Sequence, residues 1–250
     1  MMAGIEGLRR EILREIRALG RPGGDPQAQK YLGSRHPVLG LSTPQLKSII
    51  SAFVRAHRGL DAKAVDALAD SLWKGKVLEE KWAAIAILSR NRKAWSDSTW
   101  KMADRWIDDA VGWGLCDALG MGPIADMVYA DPSWYREALG WTRSKNIWRR
   151  RISAYAMRAF VRAGELDKPL TLLERLLYDE EFWVQRAVGT WLRESWKKDE
   201  RRVRTFLLKH AAGLPRVTIT VATERAPKDF REELRRRSHL ARSKATRDPR

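Results

Sequence analysis

The chain carries a single cysteine, Cys116, in 250 residues. No internal disulfide framework can form, which fits a reducing compartment. Its four histidines (His36, His57, His210 and His239) are scattered without metal-ligand spacing, so no metal site is expected. No apolar run reaches the roughly 18 residues a membrane span needs, so no membrane partner is expected. Also missing are a P-loop, a GxGxxG after a strand, an HExxH and a Ser/His/Asp grouping, and no cofactor is expected. Any chemistry must therefore come from carboxylate, guanidinium and aromatic groups. Acidic side chains are in deficit: 31 Asp and Glu face 48 Lys and Arg, for a formal charge of +17. That excess says little about fold, but it selects phosphate polyanions as partners. The first 20 residues hold Glu6, Glu11 and Glu15, so they read as an ordinary amphipathic helix rather than a targeting peptide. A soluble, cytoplasmic, monomeric protein is expected.

What is present is helical periodicity. Ile5, Leu8, Ile12, Ile16 and Leu19 form an i, i+3/i+4 stripe that the breaker GRPGGDP (20–26) ends. After a Gly/Pro-rich loop, Thr43 reads as an N-cap with Pro44 at the first helical position. Further helices are predicted over 61–73, 77–90, 96–107, 113–127, 131–140, 146–163, 167–177, 181–196 and 200–212. The β-branched run in PRVTITVATE could be a strand, but a lone strand has nothing to pair with, so a helix is predicted there too. The fold class is all-α, with a repeat domain over 1–224 and a basic helix or tail over 225–250, frayed and then disordered.

Trp113, Trp148 and Trp183 are spaced by 35 residues and 35 again. Aligning on them stacks GWGLCDALG, IWRRRISAY and FWVQRAVGT, with VLEEKWAAI one period earlier. Such a period is the mark of an α-solenoid of HEAT-like repeats, whose curvature would give a concave basic groove. Four positions after each Trp stand Asp117, Ile152 and Ala187, so a carboxylate fills a slot that its siblings fill with apolar groups. An unpaired buried charge is costly, so this Asp needs either a structural partner or a chemical task. Three positions after the Trp, Arg151 and Arg186 (with Lys81 one unit early) suggest a basic ridge. Most of the 12 tryptophans, Trp73, Trp82, Trp100 and Trp106 among them, read as core wedges. Trp148 and Trp183 are open to the same reading, although basic side chains cluster beside them. Arg186, Thr190, Arg193 and Lys197 fall on one helical stripe, suited to a phosphate backbone or simply a solvated basic face.

KYLGSRHPVLGLSTPQLK, LWKGKVLEEKWAAIAIL, the Trp-x-x-x-Asp of VGWGLCD, KNIWRRRISA, FWVQRAVGTWLRE and LPRVTITVATE follow one another in order. Together they resemble the DNA alkylation-repair glycosylases of the AlkD type, built from HEAT-like repeats, over most of residues 25–225. The resemblance implies excision of N3- and N7-alkylated purines from duplex DNA, without base flipping. It implies Trp113, Asp117 and Arg151 as the catalytic set. DNA contacts are expected at Thr43, Lys47, Trp148, Arg150, Arg186, Thr190, Arg193 and Lys197. One position departs: a DNA-facing Trp of the family falls on Thr190, with Trp191 one residue later. A one-residue shift turns a helical side chain by about 100°, so Trp191 is not expected to substitute. The alternatives are a non-catalytic HEAT-like protein that binds unusual or damaged DNA, and a scaffold for acidic protein partners.

Overall fold

The computed structural model describes the backbone of residues 2–247 and the side chains of residues 4–239; the last three positions of the expected tail lie outside the described residues. The described residues are helical, with no strand among them. Two compact units are formed, Met1–Met127 and Val128–Arg250.

The first unit holds α1 (Met2–Leu19), α2 (Pro26–Leu32), α3 (Thr43–Ala56), α4 (Ala62–Trp73), α5 (Leu78–Arg90), α6 (Asp97–Asp109) and α7 (Trp113–Leu119); the boundary falls inside α8 (Ala125–Ala130). Its core is mainly aliphatic, with Ile12, Ile16, Ile50, Leu68, Leu72, Leu88 and Ile107 all but sealed from solvent. Trp73, Trp100 and Trp106 are buried among them as expected, whereas Trp82 is half-buried. The α1 stripe is rotated slightly from expectation, because Leu13 joins the core while Leu19 is 46% exposed. Side-chain caps start the helices. The α3 cap is Ser42 rather than Thr43: Ser42 and Gln45 form a capping box, with Thr43 already the first helical residue. Helix α2, for which no helix is predicted, starts at the last residue of the expected breaker: Asp25 accepts from Ala28 N at 2.9 Å and Pro26 sits at the start.

The second unit holds α9 (Pro132–Gly140), α10 (Ile147–Tyr155), α11 (Arg158–Ala163), α12 (Asp167–Glu174), α13 (Phe182–Trp196), α14 (Glu200–Lys209), α15 (Arg216–Ala222) and α16 (Lys228–Arg247). The single helices predicted over 113–127 and 146–163 are both broken. Residues 120–124 form a π turn kinked at Gly122, where Pro123 offers no N–H to the ladder. Residues 156 and 157 separate α10 from α11. The VTITV segment is helical because its faces are buried: Thr218, Ile219 and Ala222 pack inward, and Gly189 of α13 admits Val221 so closely that a Cβ there would lie 2.7 Å from Val221 Cβ. Packing overrides β propensity here. The basic segment set apart over 225–250 holds the helix α16, Lys228–Arg247.

The 35-residue register survives in three dimensions. Leu78 and Trp113 are the first residues of α5 and α7, and Trp148 and Trp183 the second residues of α10 and α13. Each repeat therefore places this position in the first turn of a helix.

Candidate active site

Two glycines aim the Trp-x-x-x-Asp helix. Gly112 has φ +89, and a Cβ on it would lie 2.2 Å from the carbonyl oxygen of Gly33. A Cβ on Gly114 would meet Leu32 Cδ2 at 2.6 Å. The start of α7 is thus seated on the end of α2, which Gly33 closes in the left-handed conformation. That seat fixes Trp113. Its indole N–H donates to the carbonyl of Tyr31 at 2.6 Å, and the Tyr31 ring stands edge-on at 5.1 Å. Tyr31 is 73% exposed and Trp113 half-exposed, so the pair forms an aromatic edge at the surface.

Asp117 lies one turn further along α7, flanked by the buried Leu115, Cys116 and Leu119. Cys116 is fully sealed and its thiol donates to the Ala110 carbonyl at 3.0 Å. Asp117 itself is half-buried, whereas Ile152 and Ala187 in the same repeat slot are both 0% exposed. Among the three Trp-led repeats the slot opens to solvent only at Asp117, while one period earlier it holds the half-buried Trp82; the π turn begins three residues beyond Asp117.

The expected basic ridge is not a solvent-facing one, because two of its members point inward. Lys81 is buried, donating to the Trp73 carbonyl and to Asp109 at 3.2 Å, with its ammonium 4.8 Å from the Trp73 ring centroid. Burial, and then the neighbouring Arg35 guanidinium, push its pKa down to about 8, with Glu80 opposing. Arg151 in the second unit is only 3% exposed; it donates to the Trp183 carbonyl at 2.5 Å and to the Tyr155 hydroxyl at 3.0 Å. Its guanidinium lies 4.8 Å from the Tyr155 ring and 5.6 Å from Trp183. Both repeats settle a buried cation in the same way, on a peptide carbonyl and aromatic faces. Only Arg186 of the three is exposed, over the Phe182 ring at 5.7 Å.

Beside Lys81 the His36 imidazole is held neutral: burial, then the charges of Lys81 and Arg35, lower its pKa to about 4. Between that value and the ordinary 6.5 or so, the unfolded chain binds a proton that the folded one refuses. The contribution of His36 to stability is therefore complete above about pH 6.5 and is lost as pH falls toward 4. Urea unfolding at pH 7 and pH 5 should show a loss on acidification that His36→Gln reduces; an equal loss in both proteins would refute this.

A family model described as DNA alkylation repair enzyme matches residues 12–226. The chain belongs to that family. Among solved structures, the "Predicted DNA alkylation repair enzyme from Enterococcus faecalis" is similar with a TM-score of 0.73 at 14% identity, covering 84% of this chain and 97% of that one. AlkD2 from Streptococcus mutans gives 0.61 at 14% identity, over 80% of this chain and 98% of that one. At such identity the likeness concerns the helical-repeat fold alone. A comparison with curated proteins finds no match.

Within this DNA alkylation repair enzyme family member, the residues expected at DNA are placed unequally. Thr43 and Lys47 are exposed on the first turns of α3, and Trp148 is half-exposed, 6.2 Å from the Trp183 ring. Arg150 is held as a clamp, with Nε 2.6 Å from Asp179 and Nη1 2.7 Å from the Ser144 carbonyl. Arg193 and Lys197 share Glu194, and Arg193 also pairs with Glu224. Burial alone would raise the Glu194 carboxyl, but Lys197 and Arg193 outweigh it and hold it below the usual range. Thr190 is half-exposed on α13, while Trp191 is buried, edge-on to Tyr155 at 5.7 Å. Sequence reasoning passed over two aromatic groups: Tyr31 beside Trp113, and Phe182, which is 47% exposed and edge-on to Trp183 at 5.2 Å. Phe182 adjoins the repeat Trp, which is the signal that could have found it.

No described helix is long and apolar enough to cross a membrane, and among the described residues no cluster of His, Cys, Asp and Glu could hold a metal ion.

Proposed function

We propose that the chain is a DNA glycosylase that hydrolyses the N-glycosidic bond of cationic N3- or N7-alkylated purines in duplex DNA. The observation that carries this reading is the opened slot at Asp117, one turn from a surface Trp held by its indole N–H. An alkylated purine already carries a positive charge, so it leaves without being protonated. As the C1′–N bond breaks, its electron pair neutralises the purine, and positive charge develops on the deoxyribose. The Asp117 carboxylate stabilises that charge and orients a water, whose oxygen bonds to C1′ while its proton passes to the carboxylate and on to solvent. The exposed face of Trp113 favours the cationic lesion or sugar, an effect of about 1–2 kcal/mol when desolvated. Arg151, anchored on the Trp183 carbonyl and the Tyr155 hydroxyl, is the cation that the resemblance assigns to the phosphate beside the lesion. Of the contacts expected at DNA, Thr43, Lys47, Arg186 and Lys197 are exposed polar and cationic groups available to the DNA backbone.

The surface placement of Trp113 and Tyr31 supports excision from a stacked helix, which limits the enzyme to labile, cationic adducts. Incubation of the protein with methylated duplex DNA should release 7-methylguanine or 3-methyladenine. Thr190, where an aromatic contact is expected, favours the second reading of a non-catalytic protein for damaged DNA. Tight, salt-dependent binding with no base release would decide for that reading.

A further inference from the structure

Helix α16 begins two residues past the end of the family match at residue 226. It is nevertheless built into the second unit. Phe230, Leu234 and Ser238 recur every four residues and are all buried. Phe230 packs on Trp196 at 5.3 Å beneath the Arg204 guanidinium, and Ser238 Oγ donates to the Leu214 carbonyl at 2.9 Å. With that stripe anchored, the next positions of α16 face α15 across a cavity of about 580 Å³. Arg235, Arg236 and His239 line it from α16, and Arg216 and Thr220, one helical turn apart, line it from α15. Among the described residues no carboxylate lines the cavity.

The counterions are distributed in a telling way. Arg237 on the same helix pairs with Glu233 at 2.6 Å, and Lys228 with Glu232 at 3.8 Å. Arg216, Arg235 and Arg236 form no ion pair among the described residues, and all three are exposed. On α16, Arg237 and Lys228 are paired away from the cavity, whereas Arg235 and Arg236 at its edge are not; Arg231, which does not line the cavity, is also without an ion pair among the described residues. Guanidinium groups gathered around one opening repel one another until an anion neutralises them. Their fork of N–H donors matches phosphate oxygens, and Thr220 adds a hydroxyl.

We propose that the α15–α16 cavity is a phosphate site that grips a DNA phosphodiester, a contact supplied by a helix outside the family's matched region. The proposal rests on the DNA-binding half of the function proposed above and not on the glycosylase chemistry. It makes α16 a second grip on the duplex, independent of the Trp113 edge.

The test is the salt dependence of binding to undamaged duplex DNA by the full-length protein. Each phosphate contact contributes about −0.9 to the slope of log affinity against log salt. A variant with Arg216→Gln, Arg235→Gln and Arg236→Gln should lose about two to three units of slope and bind about 10- to 100-fold more weakly at low salt. Arg237→Gln, which removes a paired arginine of the same helix, should leave slope and affinity unchanged. An unchanged slope in the triple variant, or an equal loss in Arg237→Gln, would overturn the proposal. A calorimetric titration with inorganic phosphate separates the two sources of phosphate. Phosphate binding that the triple variant loses, alongside an unchanged DNA slope, would assign the cavity to a small anion and also overturn it. None of these readouts depends on base release, so a protein that releases no base leaves the test intact.

Discussion

Asp117→Asn should abolish most base release while the protein still binds duplex DNA. The substitution keeps the size of the side chain and removes only its charge. The expected loss in the single-turnover rate of 7-methylguanine release is about 10²–10³-fold, or about 3–4 kcal/mol of transition-state stabilisation, the scale of removing one preorganised electrostatic group. Affinity for undamaged duplex should hold or rise slightly, because a negative charge facing phosphates has been deleted. Folding should be little affected, since Asp117 is half-buried, whereas the sibling slots at Ile152 and Ala187 are sealed. That contrast separates a chemical role from a packing one. A carboxylate needed only for packing would show its loss in the thermal midpoint and leave the rate constant of the folded protein alone. Release at the wild-type rate by the variant would end the glycosylase assignment to Asp117.

The helices were legible because their signals are local. Asp61, Ser96, Asp131, Asn146 and Asp199 each cap the helix that follows, and each stands at or within a residue of a predicted start. The repeat was legible because a large aromatic recurs at one helical turn every 35 residues. What escaped depends on contacts distant in sequence. Tyr31 and Trp113 are 82 residues apart, and nothing near either announces the other. The inward turn of Lys81 and Arg151 was hidden for the same reason: long cationic side chains read as solvated until a carbonyl and an aromatic face are found to hold them. Two errors were avoidable. Asp25 followed by Pro26 is a helix start, although it sits within a run that reads as a breaker. Gly122 followed by Pro123 is an interruption, although it sits within apolar periodicity. The geometry of Trp113 and Asp117 on one face of α7 followed from their spacing alone, but its anchoring to α2 did not.

That anchoring makes Gly112 the most sensitive position outside the chemistry. Gly112→Ala places a Cβ on a residue at φ +89 and ψ 147, a conformation populated essentially by glycine, which costs an L-residue roughly 1–3 kcal/mol. The same Cβ would stand 2.2 Å from Gly33 O and 2.8 Å from Leu32 O. Both are backbone atoms, so no side chain can rotate out of the way, and α7 must lift from the end of α2 at an overpacking cost of about 1–3 kcal/mol. The sum, about 2–6 kcal/mol, should appear as a lowered midpoint in urea. Gly7→Ala is the matched control: it lies inside α1, nothing stands within 4 Å of its Cβ, and about 0.5–1 kcal/mol of stabilisation is expected. The consequence for function follows from what the seat holds. Lifting α7 stretches the 2.6 Å bond from Trp113 Nε1 to Tyr31 O and displaces Asp117 with the same helix. Base release by Gly112→Ala should therefore fall more than tenfold even at a temperature where the variant is fully folded. Wild-type release by a destabilised Gly112→Ala would show instead that the glycine serves folding alone and that the α2 contact does not set the position of the Trp-x-x-x-Asp pair.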